Sequence, residues 1–298
     1  MRITISLPAQ TLAVRDDQGC CLKVYSVSTA KNGAGEKNGS YRTPRGRHII
    51  RAKVGDGMTA NTVFVRRRPT GEIWTPELAA QHPDRDWILT RILWLSGKRV
   101  GFNRLGDVDT MRRYVYIHGS PDKVAMGAPG SIGCVRMRNS EIIELFDTVP
   151  VLTQVDIDDF DVSGGDWDHQ EAYAMPVREA VFVTEQGVPV EMERDEFDAT
   201  SYHVVARDGQ QQVIGTGRLL PDGHIGRVAV VAPWRGRGVG RALMDALIDQ
   251  ARRLGYVQLK LNAQTSALSF YRQFVFSETG PEFMEAGILH RAMVRDLA

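Results

Sequence analysis

Tyr116-Ile117-His118-Gly119 is followed, after a loop rich in Gly and Pro, by Ser131-Ile132-Gly133-Cys134-Val135-Arg136-Met137. These two segments hold the residue types that nucleophilic acyl transfer needs. A thiol must lose its proton to attack a carbonyl, and histidine is the usual base. Glycines let backbone N–H groups approach a tetrahedral oxyanion. An arginine two residues after the cysteine can grip a carboxylate through two parallel hydrogen bonds. The same residues also fit a buried cysteine packing as a small hydrophobe beside a structural histidine. Spacing alone leaves both readings open.

Working outward, residues 113–118 read as a strand that delivers His118 to a loop. Residues 139–146 read as a short helix, and 151–157 as a closing strand. Toward the N-terminus, Ile3, Ile5 and Leu7 alternate with polar residues, and 12–15 and 22–28 repeat the pattern. Asp16-Asp17-Gln18-Gly19 is a hairpin turn in type, and 32–40 is a Gly-, Asn- and Lys-rich loop. Further strands are expected at 48–52, 63–65 and 87–96, with an irregular stretch at 74–86. The first half is therefore mostly β.

An acidic stretch at 158–168 with little core pattern marks a junction, which divides the chain at 1–157 and 158–298. Beyond it the rhythm changes to α+β. Helices are expected at 171–186, 237–254 and 266–274. Strands are expected at 202–207, 212–220, 225–231, 257–262 and 287–294. In the long helix Leu243, Leu247 and Leu254 share a face.

The 298 residues suit two domains of ordinary size. The net charge of +1 hides an asymmetry. Residues 1–157 carry 23 Lys+Arg against 15 Asp+Glu, net +8, and the rest 14 against 21, net −7. The first half suits anionic ligands or simply has a solvated cationic face. Arg66-Arg67-Arg68 reads as a solvated loop edge, with steering of anionic substrate as the other reading. No basic tract with interleaved aromatics points to nucleic acid. His48, His82, His169 and His224 have no metal-ligand spacing, so no metal is expected. Cys20, Cys21 and Cys134 contain no Cys-x-x-Cys and suggest no disulfide framework. The chain starts Met1-Arg2-Ile3-Thr4-Ile5 without an apolar signal region, and no run of about 18 apolar residues could span a membrane. These features together lead to an expected cytoplasmic location with no membrane partner.

The His-Gly and Ser-x-Gly-Cys-Val-Arg-Met segments closely resemble the signature of YkuD-type L,D-transpeptidase catalytic domains. Gly-Ser-Tyr-Arg-Thr-Pro-Arg-Gly at 39–46 resembles that family's Thr-Pro-x-Gly turn, and the likeness extends over 1–157. The resemblance implies that Cys134 forms a thioester with a D-amino-acid-containing peptide and that His118 is its base. The Gly119 carbonyl would orient the imidazole. N–H groups of Gly133 and Cys134 would form the oxyanion hole, and Arg136 would bind substrate or order the wall. Ile132 stands where the family often has His, which bears on the acceptor. An amine acceptor gives a peptidoglycan cross-linking transpeptidase. Water gives an L,D-carboxypeptidase that removes terminal D-alanine from a muropeptide tetrapeptide. The expected cytoplasmic location favours the second.

Arg235-Gly236-Arg237-Gly238-Val239-Gly240 lies between an expected strand and a long helix. Such glycines let backbone N–H groups wrap a pyrophosphate at a helix N-terminus. With Val228-Ala229-Val230 before it and Phe270-Tyr271-Arg272 after it, the stretch resembles GNAT acyltransferases. Ala180 to Pro189 and Gly287-Ile288-Leu289-His290 resemble the ElaA-type branch. The resemblance implies acetyl-CoA or another acyl-CoA as co-substrate and a small amine as acceptor. Amides from Arg235 through Arg241 would cradle the pyrophosphate, and backbone atoms of Val228 and Val230 would align the pantetheine. Tyr271 would protonate the departing thiolate. Glu185, His203 and His290 are candidate bases. Phe274 is taken as the position where the family commonly has Gly. The whole reading is a bifunctional enzyme of peptidoglycan metabolism: a mostly-β L,D-transpeptidase catalytic fold followed by an α+β GNAT fold. A GNAT half that only senses acyl-CoA is the alternative.

Overall fold

Ile3 and Ile5 alternate with partly exposed neighbours, so β1 (Arg2–Ser6) buries one face. The same period shapes β2 (Thr11–Arg15), which pairs antiparallel with β1 and with β3 (Cys21–Ser26). The computed structural model describes residues 1–297. The chain divides into two units: Met1–Asp17 with Cys21–Asp159, and Gln18–Cys20 with the chain from Phe160 onward.

The first unit continues with β4 (Gly46–Val54), β5 (Thr62–Val65), β6 (Arg68–Ile73), α1 (Pro76–Gln81) and β7 (Ile88–Gly97). Then come β8 (Tyr116–Gly119), β9 (Val135–Met137), α2 (Asn139–Thr148) and β10 (Gln154–Asp158). Its sheet runs β3-β2-β1-β10-β4-β7-β5-β6, with β8 joining β7 to β9. β7 is buried along nearly its whole length because it is central and covered on both faces. Its Leu93 and Leu95 meet Ile3, Ile5, Ile117 and the α2 residues Ile142, Leu145 and Phe146 in one core.

Three details depart from expectation. The stretch 74–86 contains α1, whose N-cap Thr75 accepts a hydrogen bond from the Leu78 N–H. β6 was not anticipated, because its burial is too slight to leave a pattern. The strand carrying His118 starts at Tyr116 rather than at 113, because Tyr114 has φ of 58° and cannot extend the ladder.

In the second unit, the expected junction holds β11 (Phe160–Gly165), the edge strand of a four-stranded sheet β11-β12-β13-β14, with Phe160 buried. Its acidic, glycine-rich composition hides this, since an edge strand has one solvated side. α3 (Trp167–Arg178) follows and passes through a wider π-helical turn at Glu179–Glu185, just after Pro176 removes one helical donor. The short α4 (Val190–Glu193) leads to β12 (Tyr202–Asp208), β13 (Val213–Leu219) and β14 (Ile225–Val230). α5 (Val239–Arg253), β15 (Gln258–Gln264), α6 (Leu268–Arg272), β16 (Ser277–Glu285) and β17 (Ile288–Asp296) complete it. β15, β17 and β16 form a separate antiparallel sheet. α5 buries Leu243 and Leu247, but Leu254 lies beyond the helix end, where the chain turns into Gly255, and is exposed. No helix among the described residues is long and apolar enough to cross a membrane.

Candidate active sites

Parallel pairing of β8 with β9 sets Ile117 opposite Val135 and His118 opposite Arg136. Cys134 therefore enters β9 beside Tyr116. The Tyr116 N–H donates to its Sγ at 3.4 Å, and the thiol reaches the Tyr114 carbonyl at 3.5 Å. Along β8, Tyr116 and His118 share the face opposite Ile117. The half-buried Cys134 packs there with Phe64, Ile92 and Tyr116. His118 is fully buried, and its Nδ1 lies 2.7 Å from the Gly119 carbonyl. A carbonyl can only accept, so Nδ1 carries the proton and Nε2 carries the lone pair. That Nε2 is buried with no partner. Burial lowers the His118 pKa below its ordinary value and pushes the Cys134 thiol up to about 12. Both shifts favour the neutral forms.

The surrounding loops hold this pair in register. Ser131 Oγ donates to the Cys134 carbonyl at 2.6 Å and accepts from the Gly133 N–H at 3.1 Å. Gly133 has φ of 138°, which favours glycine. The Gly133 N–H, expected as an oxyanion donor, is thus already engaged by Ser131 Oγ. Thr43 of the Thr-Pro-Arg-Gly turn donates to the Gly133 carbonyl at 3.0 Å, so the turn braces the cysteine loop. Arg136 pairs with Asp86 at 2.7 Å and donates to the Gly130 carbonyl at 3.2 Å. Its guanidinium is thus already engaged by a carboxylate of this chain. Asp86 was not foreseen, because it lies in an irregular segment with no motif. Its charge acts on both His118 and Cys134.

Gly119 has no room for a side chain. A Cβ there would overlap Asn139 Oδ1 and sit 2.8 Å from the Leu89 carbonyl. Gly119→Ala should lower the stability of this unit by about 1–3 kcal/mol. The urea midpoint measures it, and an unchanged midpoint would show that β7 and α2 can move aside.

In the second unit, β14 and β15 run parallel but bridge only at their starts, His224 to Lys260. Beyond that point β14 pairs with β13 alone and β15 with β17 alone, so the two strands part. A bulge at Arg227, with φ of 53°, bends β14 there. The Val231 N–H donates to Ile214, so by alternation the backbone groups of Val228 and Val230 face the opening. Gly238 is the N-cap of α5, with φ of 100° and no side-chain cap, and the first-turn amides of Val239 and Gly240 project from the helix N-terminus. Gly236 also has positive φ, 72°. A Cβ on Gly240 would lie 3.3 Å from Phe270, so glycine lets α5 approach α6, which carries Tyr271.

Two expected groups are occupied. The Arg235 N–H donates to Ala232, and its Nε donates to the Val230 carbonyl at 2.9 Å while Nη2 pairs with Glu185 at 2.5 Å. The Arg235 side chain must swing away before an extended chain can pair at Val230. Arg237 packs 3.7 Å over the Trp234 ring, and Arg241 reaches Gln273 at 3.2 Å. Burial pushes the half-buried Tyr271 hydroxyl up to about 12, so it stays protonated near neutral pH. Two of the candidate bases are held: Glu185 pairs with Arg235, and His203 is buried with its Nε2 against the Asp198 carbonyl. His290 donates from Nδ1 to the Ile288 carbonyl, which leaves Nε2 as its basic atom.

Comparison with known proteins places both units. Residues 1–157 match the L,D-transpeptidase catalytic domain (YkuD). The chain belongs to the YkuD L,D-transpeptidase family. Residues 166–297 match the acetyltransferase (GNAT) domain, so the transpeptidase domain is joined to a GNAT domain. The Uncharacterized N-acetyltransferase YjcF of Bacillus subtilis (strain 168) is 43% identical over 129 residues, 41% of this chain and 90% of that protein. An acyl-CoA N-acyltransferase from Pseudomonas aeruginosa is 28% identical, covering 46% of this chain and 99% of that one, with TM-score 0.42. Escherichia coli ElaA is 26% identical, with coverages of 46% and 99% and TM-score 0.42. Among the described residues no group of three or more His, Cys, Asp or Glu could hold a metal ion.

One position in the GNAT domain needs correcting. Phe274 is buried and in ordinary conformation, whereas Val275 follows the helix end with φ of 63°. Position 275 is therefore where glycine would fit, not 274. A left-handed β-branched residue costs about 1–2 kcal/mol, and Val275 is exposed, so little burial offsets it. Val275→Gly should stabilise the GNAT domain by about 1 kcal/mol, read as a higher melting temperature. A lower one would mean that Val275 makes contacts that outweigh the strain.

Proposed function

We propose that the transpeptidase domain is an L,D-carboxypeptidase acting on muropeptide tetrapeptides, and that the GNAT domain transfers an acetyl group from acetyl-CoA to an amine. The observation that carries the first part is the orientation of His118: Nδ1 tied to Gly119, Nε2 unpartnered on the Cys134 face. Nε2 takes the Sγ proton as sulfur attacks the L,D peptide carbonyl. The Cys134 N–H faces the developing oxyanion. The C–N bond breaks, His118 returns its proton to the departing D-alanine amine, and a thioester remains. Water then attacks the thioester, gives its proton to Nε2, and the thiol is restored. Ile132, exposed beside Cys134, offers no group to orient an incoming amine, which favours water.

In the GNAT domain the acceptor amine attacks the thioester of acetyl-CoA directly. The C–S bond breaks and Tyr271 donates its proton to the CoA thiolate. The amine's proton leaves to solvent or to a base freed by movement. The ion pair that holds Glu185 and the buried contact that holds His203 favour a second reading, in which this domain binds acyl-CoA as a sensor. CoA release with a panel of amines separates the two.

Mass spectrometry of a muropeptide tetrapeptide tests the first part, beside Cys134→Ala and with a D-amino acid added. Loss of terminal D-alanine only with intact Cys134, regardless of the added D-amino acid, supports the carboxypeptidase. Exchange for the added residue, or dimer formation, would replace it with a transpeptidase.

A further inference from the structure

The hairpin of β5 and β6 turns at Arg66 and Arg67, whose φ values are 47° and 66°. Such two-residue turns favour Asn-Gly, because other residues are strained there. Two arginines in these positions retain local strain, and strain that persists is a pointer to use of the side chain. Arg66 and Arg68 are exposed, but Arg67 is half-buried. Its guanidinium carbon lies 4.4 Å from the Trp94 ring centre and 4.7 Å from that of Tyr114. Nη1 donates to the Tyr116 hydroxyl at 3.0 Å. The solvated loop edge expected from sequence is therefore wrong for Arg67.

Tyr114 and Tyr116 also hold the nucleophile: their backbone groups contact Cys134 Sγ while their side chains contact Arg67. The other arginines near Cys134 are engaged. Arg136 pairs with Asp86, and Arg113 donates to the Gly35, Glu36 and Arg42 carbonyls and to Ser40 Oγ. Arg67 is fixed in place, yet no carboxylate among the described residues pairs with it. A planar guanidinium held against aromatic rings is pre-organised for a carboxylate, since little rotamer freedom is left to lose.

We propose that Arg67 is a substrate-binding residue that receives a carboxylate of the peptide being acylated onto Cys134. The inference rests on the reading of Cys134 as a peptide-directed nucleophile. Two sources share this chemistry: the α-carboxylate of the departing residue, and a side-chain carboxylate on the residue whose carbonyl is attacked.

The test uses the full chain and three tetrapeptides: the free acid, its C-terminal amide, and one with the side-chain carboxylate amidated. Acyl-enzyme at Cys134 is followed by intact mass and release of the terminal residue by kcat/KM, for wild type, Arg67→Lys and Arg67→Met. The free-acid peptide should be preferred over one of the two amides by wild type. Arg67→Met should reduce that ratio about 10- to 100-fold, with Arg67→Lys in between. The amide that loses its disadvantage in Arg67→Met identifies the source. Equal slowing of all three peptides would overturn the proposal and leave Arg67 as a support for the two tyrosines. If Arg67→Met does not fold, Arg67→Lys and the wild-type ratios decide, and equal wild-type rates on all peptides overturn it. Absence of any acyl-enzyme in wild type removes the underlying reading itself, and the inference with it.

Discussion

His118→Gln should slow acylation of Cys134 by about 10²–10⁴-fold while the protein stays folded. Burial pushes the Cys134 thiol above its ordinary value, so it is overwhelmingly protonated at pH 7 and attack gains from a base that takes its proton. Nε2 is the basic atom left on the imidazole once Nδ1 is tied to Gly119. Glutamine can occupy the space but cannot take the proton. The pH profile provides a second readout. Burial lowers the His118 pKa, so the base form persists as pH falls, and the acidic limb of kcat/KM should lie below the ordinary histidine value of about 6.5. In His118→Gln that limb should vanish and the residual rate should climb with pH. A wild-type limb above 6.5 would show that Cys134 and His118 form an ion pair at rest.

Arg178→Met should destabilise the GNAT domain by about 3–5 kcal/mol. Arg178 is fully buried and donates to Glu193 at 2.5 Å and to Asp198 at 2.7 and 3.1 Å. Arg218 joins at Asp195 and Asp198, both at 2.6 Å, and Arg227 at Asp195, 3.0 Å. The network ties the segment around α4 to β13 and to the bulge of β14. Removing the Arg178 guanidinium leaves buried Glu193 with only Arg227, at 3.5 Å, and buried Asp198 with only Arg218. Burial alone would raise the Asp198 pKa, but Arg178 and Arg218 outweigh it and hold it below the usual value. A lowered carboxylate contributes stability above its unfolded value of about 4 and loses it as pH falls below that. Wild type should therefore lose stability below pH 4 more steeply than Arg178→Met. Urea melts of both proteins across pH 3–7 measure this, and parallel curves would mean that the network contributes little.

Much of this was legible in the sequence for identifiable reasons. The period of two in β1 and β2 and the apolar face of α5 repeat long enough to be read. Cys134, His118 and the glycines just before α5 stood out because their residue types are restricted by the chemistry or backbone geometry they suit. Asp86 did not, and Arg67 stood out only within the Arg66-Arg67-Arg68 run read as a solvated edge or an anion-steering group, since what each of them touches comes from tertiary contact. The engagement of Gly133, Arg136 and Arg235 was equally hidden, because a donor's partner depends on tertiary contact. β11 was missed because its sequence reads as an acidic linker, although Phe160 enters the core. Val275 escaped because a strained φ has no signature in a valine.

The most direct measurement is the intact mass of the enzyme mixed briefly with a tetrapeptide and quenched in acid, followed by peptide mapping. The account predicts an added mass equal to the peptide minus its terminal D-alanine, located on Cys134 and absent in Cys134→Ala. Turnover of the tetrapeptide with no such adduct, or with an adduct on another residue, would contradict it.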